Sequence, residues 1–351
     1  MPNPQAKIGY VGSVTLLGTT GGNIRVRATS ADVKASQDIT YPDVVDGKID
    51  RTLYQLGPRI VEGNISFPLV HEGGTVASGR TCDQLTDKTL GATFWEIATK
   101  RDAFGRLINQ FDTQVRYTDD TAFMYPACIV NSMTISVTQS DVVNVSLDII
   151  GGANSEDDVR QPSPNIEPDF LSPARVVTWN DFLVRVYGDD GELEQIRGDW
   201  LRSFEVTINN NAERFFTLNN RLAPQDITAK KREISGSMTL MGRHPGLSEL
   251  AYNNQDRFTS TARIAFGYSL GGAGAVAFTT ALHGVIFNIE EIAISNELIE
   301  TTVTFTALGD CDNGFEATEI GNTAPLPDGQ FTPGVFGGRT STGFPNWNPD
   351  D

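Results

Sequence analysis

The sequence predicts a mainly β protein made of two tandem β domains, and three observations carry that prediction. Apolar and polar residues alternate with a period of two in many short runs; Phe204, Val206 and Ile208, for example, alternate with Glu205 and Thr207. The 351 residues include 34 Gly and 17 Pro, which suits turns between strands better than a helix bundle. A pattern also recurs. The run from Ser30 to Lys34 echoes that from Ser203 to Thr207, and the run from Val61 to Phe67 echoes that from Ile234 to Leu240. The spacing from Ser30 to Gly63 equals that from Ser203 to Gly236, at 33 positions each.

Taken in order, residues 1–7 are polar. Val14 to Leu17 form a short strand ended by Gly18, and strands follow within 24–34. Residues 35–60 make a first long arm with Tyr41, Pro42 and an Asp46-Gly47 turn at its tip. Val61 to Val70 return as a strand. Residues 92–104 have helical spacing through Phe94, Ile97 and Ala98, with Thr93 as a cap. Strands follow at 115–117 and 123–130, then a hairpin turning at 138–142 and ending at Gly151.

Residues 152–173 are acidic and proline-rich and read as a linker. The order then repeats: a strand at 182–187, a strand at 203–208, a long arm over 209–231 and a returning strand from Ile234 to Leu240. A second helix is expected over 244–256, with Pro245 in its first turn. Strands at 262–268 and 275–282 and a hairpin of 286–295 with 301–308 complete it. The resulting division is 1–151, a linker at 152–173, 174–309, and an extended tail at 310–351 without periodicity. Each half carries one short flanking helix and one long arm.

The net charge is −17 and the excess runs through both halves. That argues against a nucleic-acid grip, which needs concentrated Lys and Arg. Cys82, Cys128 and Cys311 are odd in number and form no CxxC pair, and His71, His244 and His283 have no ligand spacing. No metal or cofactor is therefore expected. The glycines at 271–274 lie between strands with no helix after them, so they do not read as a phosphate loop. Acidic groups stand at Asp119-Asp120, Glu156-Asp157-Asp158, Asp189-Asp190 and Glu290-Glu291; three of the four fall at turns or in the linker, and no catalytic constellation emerges. The sequons at Asn64 and Asn144 lie in predicted strands. No run approaches the roughly 18 apolar residues of a membrane span, and the first ten residues lack a signal-peptide pattern. Synthesis and assembly in a cytoplasm are expected.

The arm at 209–231 interleaves basic and aromatic residues: Arg214, Phe215, Phe216, Arg221, Lys231 and Arg232, with Pro224 between. In so acidic a protein such an arm suits an acidic surface on another copy of the chain. With Tyr41 and Pro42 of the first arm, these are the expected inter-subunit contacts. The alternative is that Phe215 and Phe216 pack back on their own sheet.

The stretch from Ser203 to Leu240 resembles the tail tube proteins of tailed bacteriophages. The likeness is carried by the strand Ser203 to Asn211 with its Asn triplet, by Pro224-Gln225-Asp226-Ile227, by Lys231-Arg232, and by Ser235 to Leu240. The first half lacks the Asn triplet and the Pro-Gln-Asp-Ile motif. The resemblance implies two packed β-sheets with a flanking helix in each domain, a sandwich or barrel-like arrangement. It also implies an arm reaching the next ring, and rings stacked into a hollow conduit for DNA. It implies a virion tail component whose partners are itself, other tail proteins and, in a contractile tail, a sheath. DNA would only pass through the lumen. Two tube domains per chain imply a ring of three chains with pseudo-sixfold symmetry, with a hexamer as the competing arrangement. A non-polymerising completion or baseplate protein is the alternative in the same setting. A carbohydrate-binding or glycosidase sandwich is the alternative of another class.

Overall fold

The computed structural model describes residues 13–19, 22–26, 28–40, 54–72, 90–99, 110–118, 121–152, 161–163, 174–187, 201–218, 222–242, 262–269, 277–282, 284–294, 299–307 and 315–320. The chain is mainly β. Its first half runs β1 Ser13–Thr19, β2 Gly22–Val26, β3 Ser30–Thr40, β4 Gln55–Pro68, β5 Val70–Glu72, α1 Leu90–Thr99, β6 Phe111–Thr118, β7 Thr121–Thr138 and β8 Asn144–Gly151. Then come β9 Gln161–Ser163, β10 Ala174–Val176, β11 Phe182–Tyr187, β12 Leu201–Asn209, β13 Glu213–Phe215, β14 Asp226–Thr228 and β15 Glu233–Met241. The last strands are β16 Arg263–Ser269, β17 Ala277–Leu282, β18 Val285–Ile294, β19 Ile299–Ala307 and β20 Phe315–Ile320.

Twelve strands share one hydrogen-bonded network, and β7 is its pivot. Its first part pairs with β6 and β9, and its second part with β8 and β12. Reading across the larger sheet gives β3-β4-β8-β7, then β12-β15-β19-β18. The second set repeats the first in chain order, and β7 lies antiparallel against β12. A smaller sheet has the order β11-β16-β17-β20, matching β1-β6-β7-β9 in the first half. Where β7 serves both sheets in the first half, the second half uses two strands, β17 and β18, with Gly284 at φ +62° between them.

The repeated runs of sequence occupy repeated positions. Val33 faces Gly63 across β3 and β4, and Val206 faces Gly236 across β12 and β15. Neither glycine has room for a side chain. A Cβ on Gly63 would stand 2.7 Å from the Asp32 carbonyl oxygen, and one on Gly236 would stand 2.4 Å from that of Glu205. The glycines let the two backbones close up at matched sites.

Alternation buries one face of the large sheet. Val33, Ile65, Leu147, Ile135, Val206, Met238, Val303 and Phe287 all point inward. On this face sits α1, with Phe94, Trp95, Ile97 and Ala98 buried. Aromatic contacts tie the layers together: Phe67 lies 4.5 Å from Phe94, Trp95 5.5 Å from Phe266, and Phe204 5.2 Å from Phe266. A single cluster of buried residues extends from Val14 to Ala307, so the two halves share a core.

Several expectations need correction. The helix expected at 92–104 spans Leu90–Thr99, so Thr93 lies inside it rather than at its start. The first arm is shorter than 35–60, because β3 continues to Thr40 and β4 begins at Gln55. The strand expected at 123–130 and the first strand of the hairpin turning at 138–142 are one strand, β7; a register shift between Val130 and Ser132 lets it leave one sheet and enter the other. The stretches expected to be a linker and an extended tail contain β9 and β20, which pair with β7 and β17 as edge strands among the described residues. The helix expected at 244–256 and the glycine loop at 271–274 lie outside the described residues.

A candidate self-association surface

The face of the large sheet opposite the core is polar. Hydroxyls and amides dominate it: Ser66, Asn64 and Ser146 on the first set of strands, Ser235, Thr302 and Thr304 on the second. The Asn64 amide donates to Ser146 Oγ at 3.0 Å, and the Ser66 hydroxyl donates to Asn64 Oδ1 at 3.0 Å. Both sequons thus meet in one cross-strand network. Where the halves join, the hydroxyls of Thr134 and Thr207 lie 2.9 Å apart. Acidic residues on this face include Asp32, Glu62, Glu205 and Glu233, while Lys34 is a cation on the exposed side of β3. Arg202 forms an ion pair with Glu300.

The arm between β12 and β15 is rooted by its Asn triplet. Asn210 is fully buried, and its amide donates to the Ala98 carbonyl at 2.9 Å and to the Val130 carbonyl at 3.0 Å. It therefore holds the end of α1 against β7. Asn211 sits at φ +47°, a left-handed conformation that Asn tolerates better than most residues. Its amide reaches the Lys231 carbonyl at 3.0 Å and closes the base of the arm. Asn131, at the register shift of β7, accepts from the Ala212 amide at 3.0 Å and donates to Asp148 at 2.8 Å. Within the arm, β13 and β14 form a small hairpin.

The basic residues of the arm have definite positions. Arg214 is mostly buried; it bonds the Val61 carbonyl at 2.6 Å and pairs with Glu62 at 3.1 Å, laying the arm along β4. The Leu222 carbonyl accepts from the Arg59 amide at 2.8 Å and fastens the arm to β4 a second time. Arg232 donates to the Thr99 carbonyl, the last of α1, where a cation complements the helix dipole. Lys231 is exposed and Pro224 is buried. Phe215 and Phe216 remain 46% and 45% exposed, so neither has folded fully onto its own sheet. Leu218 projects from the arm into solvent, and Ile39, Tyr54 and Leu56 are exposed at the far end of β3 and β4. The structure thus brings Arg214, Phe215, Phe216, Pro224, Lys231 and Arg232 into one arm. Arg221, Tyr41 and Pro42 lie outside the described residues. Sequence reasoning missed the acceptors of Arg214 and Arg232, because nothing local marks a distant carbonyl as a partner.

Among the described residues no group of three His, Cys, Asp or Glu could hold a metal. Cys128 is buried, and burial pushes its thiol up to about 12, so it stays protonated and unreactive at neutral pH. No described helix is long and apolar enough to cross a membrane.

The family model described as phage tail tube protein matches residues 4–307, most of the chain. The chain belongs to the phage tail tube protein family. A search of curated proteins found no match. Membership gives the chain a structural role in the virion tail, self-assembly into a tube and association with other tail proteins. The family is structural rather than enzymatic.

Proposed function

We propose that the protein polymerises as stacked rings, each of three chains with pseudo-sixfold symmetry, and that the stack is the conduit for DNA ejection into the host. The observation that carries this reading is the repeated four-strand order. Within one chain, the last strand of the first set, β7, pairs with the first strand of the second, β12. The outer strands β3 and β18 pair only with β4 and β19 among the described strands. A set that joins end to end with a second set inside one chain can continue into the next chain in the same sense. A head-to-tail interface of this kind closes into a ring when its rotation permits.

On this reading the chain is two tube domains, 1–151 and 174–309, with 152–173 linking them and 310–351 following. The polar face of the large sheet lines the lumen. Its hydroxyls and carboxylates offer few cations to phosphates, so DNA passes without being held. The exposed Phe215, Phe216, Leu218 and Lys231 project towards the adjoining ring, and the contacts expected of Arg221, Tyr41 and Pro42 belong to the same interface. Arg214 and Arg232 set the arm's direction. Assembly takes place in the host cytoplasm, beside other tail proteins.

Negative-stain electron microscopy of the purified protein over a concentration series tests this. Hollow tubes or stacked rings, with particle mass giving three chains per ring, are expected. Rings of six chains overturn the stoichiometry, and particles that stay monomeric at every concentration overturn the polymerisation.

A further inference from the structure

The junction inside the chain specifies the junction between chains. Across β7 and β12, Val206 faces Ile135 and Thr207 faces Thr134. Each of these strands has a counterpart at an outer end of the sheet. β3 corresponds to β12, because Val33 faces Gly63 as Val206 faces Gly236. Lys34, one residue after Val33, therefore holds the position of Thr207.

The counterpart of β7 is β18. Gly63 faces Ile149 on β8, and Gly236 faces Phe305 on β19. Three residues before Ile149 is Ser146, which faces Thr134. Three residues before Phe305 is Thr302, which faces Glu291. Glu291 therefore holds the position of Thr134. We infer that β18 of one chain pairs antiparallel with β3 of the next copy in the register of the internal junction, setting Glu291 opposite Lys34 of the neighbouring copy.

The remaining pairs follow from the same register. Ile292 faces Val33, Ala293 faces Asp32 and Ile294 faces Ala31 of the neighbouring copy. The hydroxyl pair of the internal junction becomes a pair of opposite charges between chains. Directly opposed charges of unlike sign favour a strand pairing, and like charges oppose it. Among the described residues Lys34 forms no ion pair: Glu62, directly opposite it on β4, is held by Arg214 instead. A lysine also guards an edge strand against indiscriminate pairing, since a neutral or basic incoming strand leaves its charge uncompensated. Facing Glu291, that guard becomes a selector. Two β3 strands cannot satisfy it, and neither can two β18 strands, so the seam forms only head to tail.

This inference rests on the ring reading above, and the test separates the two. Lys34→Cys and Glu291→Cys are combined in a chain whose Cys82 and Cys311 are replaced by Ser. The assembled protein is oxidised with copper phenanthroline, imaged, and run on a non-reducing denaturing gel. Covalent dimers and trimers are expected, with the ladder ending at three and neither single variant giving one. A one-residue slip puts side chains on opposite faces, so Lys34→Cys with Ile292→Cys is the register control and is expected to give less than about a tenth of the yield. Rings without cross-links, or with more product from the control pair, overturn the register and leave the ring reading standing. No rings from the unsubstituted chain overturns both.

Charge reversal provides a second measurement without cysteines. Lys34→Glu or Glu291→Lys alone should raise the concentration for half-assembly about tenfold, and the two together should return it to within about threefold of the unsubstituted protein. Failure of the double reversal to recover assembly overturns the pairing of these two residues.

Discussion

Gly236→Ala places a methyl group where two backbones and a ring have already closed. The added Cβ would stand 2.2 Å from Cζ and 2.8 Å from Cε1 of Phe305, and 2.4 Å from the Glu205 carbonyl oxygen. A ring can turn aside, but a strand carbonyl bound into a sheet cannot move alone. Overpacking of this kind costs about 1–3 kcal/mol. Against it stands about 0.4–1 kcal/mol gained because alanine restricts the unfolded chain. The difference spans about 0 to 2.6 kcal/mol, and an approach as close as 2.2 Å puts Gly236→Ala in its upper half. A Cβ on Gly63 would meet the Asp32 carbonyl oxygen and Val33 Cα at 2.7 Å and Val33 Cγ2 at 2.8 Å, none as close as the 2.2 and 2.4 Å at Gly236, so its loss should be smaller. Phe305→Leu removes the two ring atoms and leaves the Glu205 carbonyl. In that background the Gly236→Ala penalty should shrink towards that of Gly63→Ala, a coupling of about 0.5 kcal/mol or more. Urea unfolding of dilute, unassembled protein, followed by tryptophan fluorescence with buried Trp95 as a reporter, measures all four variants. If Gly236→Ala is neutral, or costs the same in both backgrounds, the close approach of β12, β15 and β19 is wrong.

Two further outcomes test the arm and the core. Asn210→Ala deletes both donors to the Ala98 and Val130 carbonyls inside the protein and should cost about 2–4 kcal/mol, with Asn210→Asp at least as harmful because a carboxylate then faces two carbonyls; urea midpoints decide. Cys128 should resist maleimide labelling in the native protein at pH 7–8 and react at once in urea. Because burial raises its pKa from 9.0 to about 12, the folded state keeps a proton that the unfolded chain loses above pH 9. That contribution to stability is complete below pH 9 and declines up to about pH 12. Rapid labelling without denaturant would show the thiol to be accessible.

The legibility of the fold follows from what each element borrows from elsewhere. β8, β12, β15 and β19 carry polar residues on one face and apolar on the other, so their period of two is visible in the sequence alone. The match between Gly63 and Gly236 could be read because a missing side chain is a property of the residue itself. The joining of β7 to β12 could not, since antiparallel pairing across 65 or more positions has no local mark. β7 looked like two strands because its register shift at Asn131 interrupts the alternation just where it changes sheets. β9 and β20 hide in Pro-, Gly- and Asp-rich sequence that supplies little alternation. At the surface, the composition of the second arm showed a basic, aromatic segment in outline, but two of its cations proved to be fasteners. Arg232 closes a helix end and Arg214 grips β4, and their partners Thr99 and Glu62 lie far away in sequence.

The uninterrupted pairing of β7 with β12 has a consequence for the order of events in building a ring. A closed circle of six separate units requires five productive encounters before it closes, and each can be undone. Fusing units in pairs makes every second seam intramolecular, with the effective concentration of a tether rather than that of the solution. A three-chain circle needs two encounters and a closure. If the ring is the three-chain one proposed above, its formation depends less steeply on the supply of protein, and half of its seams are complete before any two chains meet.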